Sequence, residues 1–139
     1  VTTEVSDELV GWFNALPISE LLGLRCVEVR SDGALVEVHV QDCHRNPDGH
    51  VSGAVIAGAA DVAAGIAVTG ATGQDSATGD LSVHFLAPAR SGPLRVEVEI
   101  LRRGRRTCVP QVKVFDGTGR LCAAATGTWM LRDQPLEVG

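Results

Sequence analysis

The period of the hydrophobic pattern changes several times along the chain, and each change marks an element. Leu9, Val10, Trp12, Phe13 and Leu16 recur at helical spacing behind the polar triplet Ser6-Asp7-Glu8. That order predicts a capped amphipathic helix within residues 1–16, stopped by Pro17 and covering an edge or mouth of the fold. A second short turn, Ile18 to Leu22, ends at Gly23. From Leu24 the period becomes two. It gives a strand from Leu24 to Arg30, a turn at Ser31-Asp32-Gly33, and a strand with Ala34, Val36, Val38 and Val40 on one face and Glu37 and His39 on the other. The polar loop Gln41 to Val51, broken by Pro47 and Gly49, then delivers the chain to a run of a different kind.

That run, Gly53 to about Ala71, is built of alanine, glycine, valine and isoleucine around a single charge, Asp61. A helix that is apolar on every face has to be wrapped by other structure. Its residues are too small and too often glycine for a convincing membrane span, so the expectation is a core helix and no membrane. A carboxylate buried in such a helix is costly unless it is partnered or used. Asp61 is therefore either a structural acid satisfied by backbone or arginine, or a working group.

Strand patterns resume after the helix. Thr78 to Ala87 is closed by Pro88, and after the turn Ser91-Gly92-Pro93 the stretch Leu94 to Arg102 alternates Val96, Val98 and Ile100 with Arg95, Glu97 and Glu99. Arg105 to Asp116 and Arg120 to Leu131 pair through Asp116-Gly117-Thr118-Gly119. Pro110 has no N–H for a ladder, so its strand should be an edge there or bulge. Gln134 to Gly139 reads as a frayed tail. One helix, two strands, a long apolar helix and four more strands predict a single α+β domain over residues 1–139, a curled antiparallel sheet around one central helix. Such a sheet leaves edges open, which predicts pairing with a second copy.

Composition narrows the function. A length of 139 residues suits one domain, and 12 basic against 17 acidic residues, net charge -5, argue against general nucleic-acid binding. The absence of tyrosine argues against base stacking. Cys26, Cys43, Cys108 and Cys122 form no C-x-x-C pair, and the start of the chain lacks the order of a signal peptide. Reduced thiols and a cytoplasmic setting are expected.

The candidate chemistry lies where loop meets helix. The Gly53 and Ala54 amides at the helix start lack intrahelical acceptors and, with the positive end of the helix dipole, could polarise a carbonyl. A carboxylate could then serve as general base or nucleophile. Asp61 is eight residues further on, roughly 12 Å of rise at 1.5 Å per residue. Either the two are not one site, or the site is completed by the Asp61 of a second subunit. The loop group Asp42, Cys43, His44, Asp48 and His50 matches no common zinc spacing, so no metal is expected. Ser52, Ser76 and Ser82 lack a nucleophile elbow.

The stretch N-P-D-G-H-V-S-G-A-V-I-A-G-A-A-D, with LLGL and DGALVEVHV before it and LSVHFLAPARSGPL and RRGRR after it, resembles the hotdog-fold acyl-CoA thioesterases of the phenylacetate-degradation (PaaI-like) type over roughly Leu16 to Leu131. The resemblance implies the hotdog fold, homodimers that commonly pair into tetramers, and metal-free hydrolysis of a small, aryl or medium-chain acyl-CoA at the subunit interface. It implies no cofactor beyond the coenzyme A of the substrate. It assigns Asp61 as base or nucleophile, the Gly53 amide to the thioester oxygen, Asn46 to holding or polarising the thioester or water, and Thr78 to positioning water. This chain departs from the family's His-Gly-Gly at Ser52 and Ala54, which stand beside the substrate; Ser52 can still cap the helix and Ala54 keeps its N–H. Arg102, Arg103, Arg105 and Arg106, and more weakly Arg90, are the candidates for the coenzyme's phosphates. Two rivals follow from the same residues. One is a non-catalytic acyl-CoA binder, suggested by Ser52 in place of histidine; the other is a hydratase or dehydratase, for which His50 is the only loop candidate.

Overall fold

The computed structural model describes residues 3–138, with side chains from Asp7 onward. Helices α1 (Thr3–Asn14) and α2 (Pro17–Leu22) precede strands β1 (Leu24–Arg30) and β2 (Gly33–Val38), and a short 3₁₀ turn, Asp42–His44, leads to the long helix α3 (Gly53–Thr72). Strands β3 (Gln74–Phe85), β4 (Leu94–Arg103), β5 (Thr107–Phe115) and β6 (Leu121–Pro135) complete the chain. They form one six-stranded sheet, antiparallel at every pairing, in the order β1-β2-β4-β5-β6-β3. The sheet curls around α3, the hotdog arrangement expected from the sequence.

Alternation sets the inner face. Ala34, Val36 and Val38 of β2, Leu94, Val96 and Val98 of β4, Cys108, Val112 and Val114 of β5, and Ala123, Ala125 and Trp129 of β6 are buried toward α3. Small residues on the helix let the sheet come close. Gly70 of α3 lies where a Cβ would collide with Val29 Cγ1, so only glycine permits that approach. By length and composition α3 would pass for a membrane span, but Val55, Ile56, Ala59, Ala60, Ala63, Ala64, Ile66, Ala67 and Val68 are enclosed by the sheet.

Several boundaries differ from the sequence reading, each for a local reason. The first helix starts at Thr3 rather than behind a Ser6 cap, and Pro17 opens α2 as its first residue instead of only stopping α1. Strand β3 begins at Gln74, directly after Gly73 caps α3 with φ 70°, rather than at Thr78. β6 runs on to Pro135, and the Leu136 N–H donates to Gly73 O, which holds much of the expected frayed tail; Gly139 itself lies outside the described residues. Pro110 is interior, flanked by β4 and β6. The strain of its missing N–H is taken by the neighbouring strand: β4 bulges at Leu101 opposite it, and Thr126 Oγ1 donates to Pro110 O.

The central helix is not wrapped on all sides. Gly58, Asp61, Val62, Gly65 and Thr69 form a half-buried stripe that the sheet leaves open, and α1 and α2 cover it only in part. Leu9 and Phe13 anchor α1 in the core, Asn14 Oδ1 accepts the Cys26 N–H at 2.8 Å, and Leu22 packs on Gly58. Asp61 is accordingly half-buried rather than sealed in the core. β3, bordering the same stripe, is an edge of the sheet. Phe85 (56% exposed), Leu86 (55%) and Met130 (48%) stand near that edge, a concentration of large exposed apolar side chains.

Candidate active site

The geometry centres on Asp61. Its Oδ1 accepts a 2.6 Å hydrogen bond from Thr78 Oγ1, a contact that depends on a bulge. From Asp80 to Phe85, β3 pairs with β6 in one register, and between Thr78 and Asp80 the register shifts, leaving Gly79 as the extra residue. Unbroken alternation from Leu81 and Val83 would turn position 78 to the outer face. The bulge reverses that parity and aims Thr78 at α3. Gly79 suits the position because a Cβ there would lie 3.0 Å from Thr128 O.

Asp61 and Thr78 stand at the mouth of a cavity of about 290 Å³ between α1, α3 and the β3–β6 pair. Trp12, Phe13 and Leu16 of α1, Val62, Gly65 and Ile66 of α3, and Trp129 of β6 supply its apolar wall, and Asp75 and Ser76 line another part. Asp75 is not free: its Oδ1 accepts the Ser76 N–H at 2.9 Å and its Oδ2 lies 3.5 Å from Arg132 Nη1.

The start of α3 forms a second cluster. Ser52 is the N-cap, and its Oγ accepts the Ala54 N–H at 3.3 Å. That is the cap the sequence allowed for Ser52, and it engages the Ala54 N–H. Among the described residues the Gly53 N–H has no acceptor, and the Phe85 ring lies 3.3 Å from where a Gly53 Cβ would be. The approach to the helix is built by Asn46, whose Oδ1 accepts the N–H groups of Asp48 and His50, each at 3.1 Å, leaving its amide NH₂ without an acceptor among the described residues. Arg45, passed over in the sequence, clamps this loop: its Nη1 donates to Gly49 O at 2.7 Å and to Arg90 O at 2.8 Å. Arg90 thus serves the loop through its carbonyl, while its side chain is exposed.

The four-arginine turn lies elsewhere. Arg103 borders the C-terminal end of α3 beside Gly70 and Gly73, and Arg105 and Arg106 flank a 510 Å³ groove with Gln74 and Arg132. Arg102, Arg103, Arg105 and Arg106 are all exposed, and none forms an ion pair among the described residues. The predicted residues therefore fall into three groups: Asp61 with Thr78, Gly53 with Ser52 and Asn46, and the arginines.

The remaining candidates are committed elsewhere. His44 is buried; its Nδ1 accepts the Gln41 N–H and its Nε2 is 2.9 Å from Leu21 O, so it ties the loop to α2. His50 precedes α3, more than two helical turns from the Asp61 of its own chain. No group of three potential metal ligands occurs among the described residues. Cys26, Cys108 and Cys122 are buried free thiols. Burial pushes the Cys26 thiol up to about 11 and raises Cys108 and Cys122, so none is a poised nucleophile.

A curled antiparallel sheet around one helix, with an acid–hydroxyl pair on the helix's open stripe, defines a hotdog protein. Residues 48–123 match the thioesterase superfamily, and the chain belongs to that family. It is 29% identical over 115 residues, 82% of each chain, to a Saccharolobus solfataricus protein described as "Putative esterase SSO2140". Among solved structures, it superposes on a hypothetical thioesterase from Streptococcus pneumoniae crystallised with coenzyme A, with TM-score 0.73 and 25% identity, covering 81% of this chain and 88% of that one. The Escherichia coli PaaI protein of the phenylacetic acid degradation operon shares the fold, with TM-score 0.85 and 17% identity over 95% and 99% of the two chains.

Proposed function

We infer that the protein is an acyl-CoA thioesterase whose working unit is a dimer. The single observation that carries this reading is the Asp61–Thr78 pair, placed at a cavity mouth on the stripe of α3 that the sheet does not cover. The Thr78 hydroxyl holds one carboxylate oxygen, leaving the other to take a proton from water or to attack a carbonyl. The Gly53 N–H, without a protein acceptor, is the donor for the thioester oxygen. Eight residues of helix keep it roughly 12 Å from the Asp61 of its own chain, so one chain holds two half-sites. Antiparallel pairing of β3 with a second copy would cover the open edge and its exposed Phe85 and Met130, and would set one copy's Gly53 opposite the other's Asp61.

The reaction then balances simply. Water adds to the thioester carbon as Asp61 takes its proton, the carbonyl oxygen charges against the Gly53 amide, and collapse expels the coenzyme A thiolate, which is protonated on release. Asn46, with its NH₂ donors open, can hold the water or the thioester oxygen. The arginines of the β4–β5 turn supply cations for the phosphates, with the coenzyme part of the substrate and not a resident cofactor. The S. pneumoniae relative with coenzyme A supports this ligand class.

The test is thiol release from a panel of short, ring-bearing and long acyl-CoA substrates, with sedimentation at the same protein concentrations. Turnover by a dimeric or larger species is expected. Coenzyme A binding without thiol release from any member would replace this reading with that of a non-catalytic binder.

A further inference from the structure

The cavity behind Asp61 contains a hydrogen-bond donor that the reaction does not use. Trp129 is 2% exposed, and a buried indole N–H ordinarily finds a partner. Among the described residues no acceptor takes it. The side-chain atom that is both sealed and unpartnered among the described residues is Ser19 Oγ. The equally unpartnered Trp129 N–H is therefore not sealed, and it opens to the cavity its ring lines. Two glycines seat it. A Cβ at Gly127 would meet Trp129 Cζ3 at 2.9 Å, and one at Gly65 would stand 3.9 Å from Trp129 Nε1, so the missing Gly65 side chain leaves space directly before the donor. Several other polar groups of the cavity are engaged, Thr78 on Asp61, Thr69 on Gly65 O, and Asp75 on the Ser76 N–H and Arg132, while the second Asp61 oxygen belongs to the reaction and the Ser76 hydroxyl lines the wall beside Asp75.

We propose that this cavity holds the acyl group and that the Trp129 indole N–H selects acyl groups bearing a hydrogen-bond-accepting oxygen several bonds beyond the scissile carbonyl. The inference rests on the thioesterase reading of the site. Gly65 follows Asp61 by one helical turn, about 6 Å of rise, so the donor lies a ring's breadth beyond the carboxylate. The cavity, about 290 Å³, has about twice the roughly 150 Å³ that accommodates benzene in an engineered core. A ring or short branched group fits it. Trp12, Phe13, Val62 and Ile66 pack its sides, and an oxygen at its far side meets Trp129. An acyl group lacking that oxygen would bury the indole N–H unpaired.

The test compares cyclohexanecarbonyl-CoA with tetrahydropyran-4-carbonyl-CoA, which differ by one ring methylene replaced by an acceptor oxygen. The wild type should favour the oxygen-bearing thioester in kcat/KM by roughly three- to tenfold, the size of one net hydrogen bond. Trp129→Phe should abolish or invert the preference. Gly65→Ala should do the same with the fold kept, since its Cβ makes an ordinary 3.9 Å contact with Nε1 while filling the acceptor's place and alanine favours the helix. A wild-type preference for the carbocycle, or a ratio unchanged in both variants, overturns the proposal. A second readout is independent of turnover. The chain has two tryptophans, so its two indole N–H resonances are assigned with the Trp129→Phe variant, or with Trp12→Phe if that one does not fold. Tetrahydropyran-4-carboxylate should shift the Trp129 resonance downfield and cyclohexanecarboxylate should not. An unmoved resonance overturns the proposal even if thioesters are hydrolysed, whereas a downfield shift with no thioester hydrolysed keeps the acyl subsite and overturns the thioesterase reading instead.

Discussion

Replacing Asp61 by asparagine separates chemistry from folding more cleanly than any other change in this protein. The amide has nearly the same shape and keeps an oxygen for Thr78 Oγ1, which now approaches to 2.6 Å. What is lost is charge. The hydrogen bond goes from charge-assisted to neutral, a difference on the order of 1 kcal/mol, and because Asp61 is half open to solvent the full figure is an upper bound. For a chain of this length that lowers Tm by no more than about 5 °C. The chemical cost is of another size. A positioned base contributes roughly 10²–10⁴ in rate, about 3–5 kcal/mol of barrier. Steady-state thiol release should therefore show kcat reduced by at least a hundredfold with KM little changed, beside a nearly unaltered melting curve. A variant retaining kcat within about threefold of wild type would refute the assignment of Asp61. A variant that unfolds would refute the packing argument instead.

Other expectations follow from the same contacts. Gly79→Ala places a Cβ 3.0 Å from Thr128 O, so it should disturb the bulge, turn Thr78 away from Asp61 and lower kcat, whereas an unchanged rate would show that the bulge is not what aims the hydroxyl. Ser52→Ala removes the α3 cap and should cost roughly 1 kcal/mol by denaturant unfolding; no loss would mean that the 3.3 Å bond to the Ala54 N–H carries no weight. Replacing Arg105 and Arg106 together by alanine should raise KM for an acyl-CoA but not for the same acyl group on N-acetylcysteamine, which lacks the phosphates, and equal effects on both would remove the turn from phosphate binding. Asp116 accepts hydrogen bonds from Thr118 Oγ1 at 2.6 Å and from the Thr118 and Arg120 N–H groups, and chiefly the Thr118 hydroxyl holds its carboxyl below the ordinary 3.8. Its contribution to stability is thus present above that value and lost as pH falls through the depressed one. Asp116→Asn should be less stable than wild type at pH 7, with the gap narrowing on acidification below about pH 4; a gap constant in thermal melts from pH 7 to 3 would contradict this.

The sequence by itself determined the architecture. Period-two runs such as Leu94 to Arg102 and the unbroken apolar stretch from Gly53 report which faces meet water, and burial of those faces favours wrapping the strands around a single small-residue helix. It also carried the polar residues worth asking about, because an acid in such a helix and a glycine at its start stand out against their neighbours. Only the tertiary structure decided how they combine. That α3 keeps an open stripe depends on how far the sheet curls, and curl is a sum over many strand pairings that no local pattern encodes. That Thr78 reaches Asp61 depends on one extra residue, Gly79, which reverses the parity of its side chain. Arg45 and Trp129 were silent in the sequence for the same reason: their partners, Arg90 O and the space before Gly65, are distant along the chain. Periodicity reports which side of an element is buried; the distances between two such sides are set when the whole core packs.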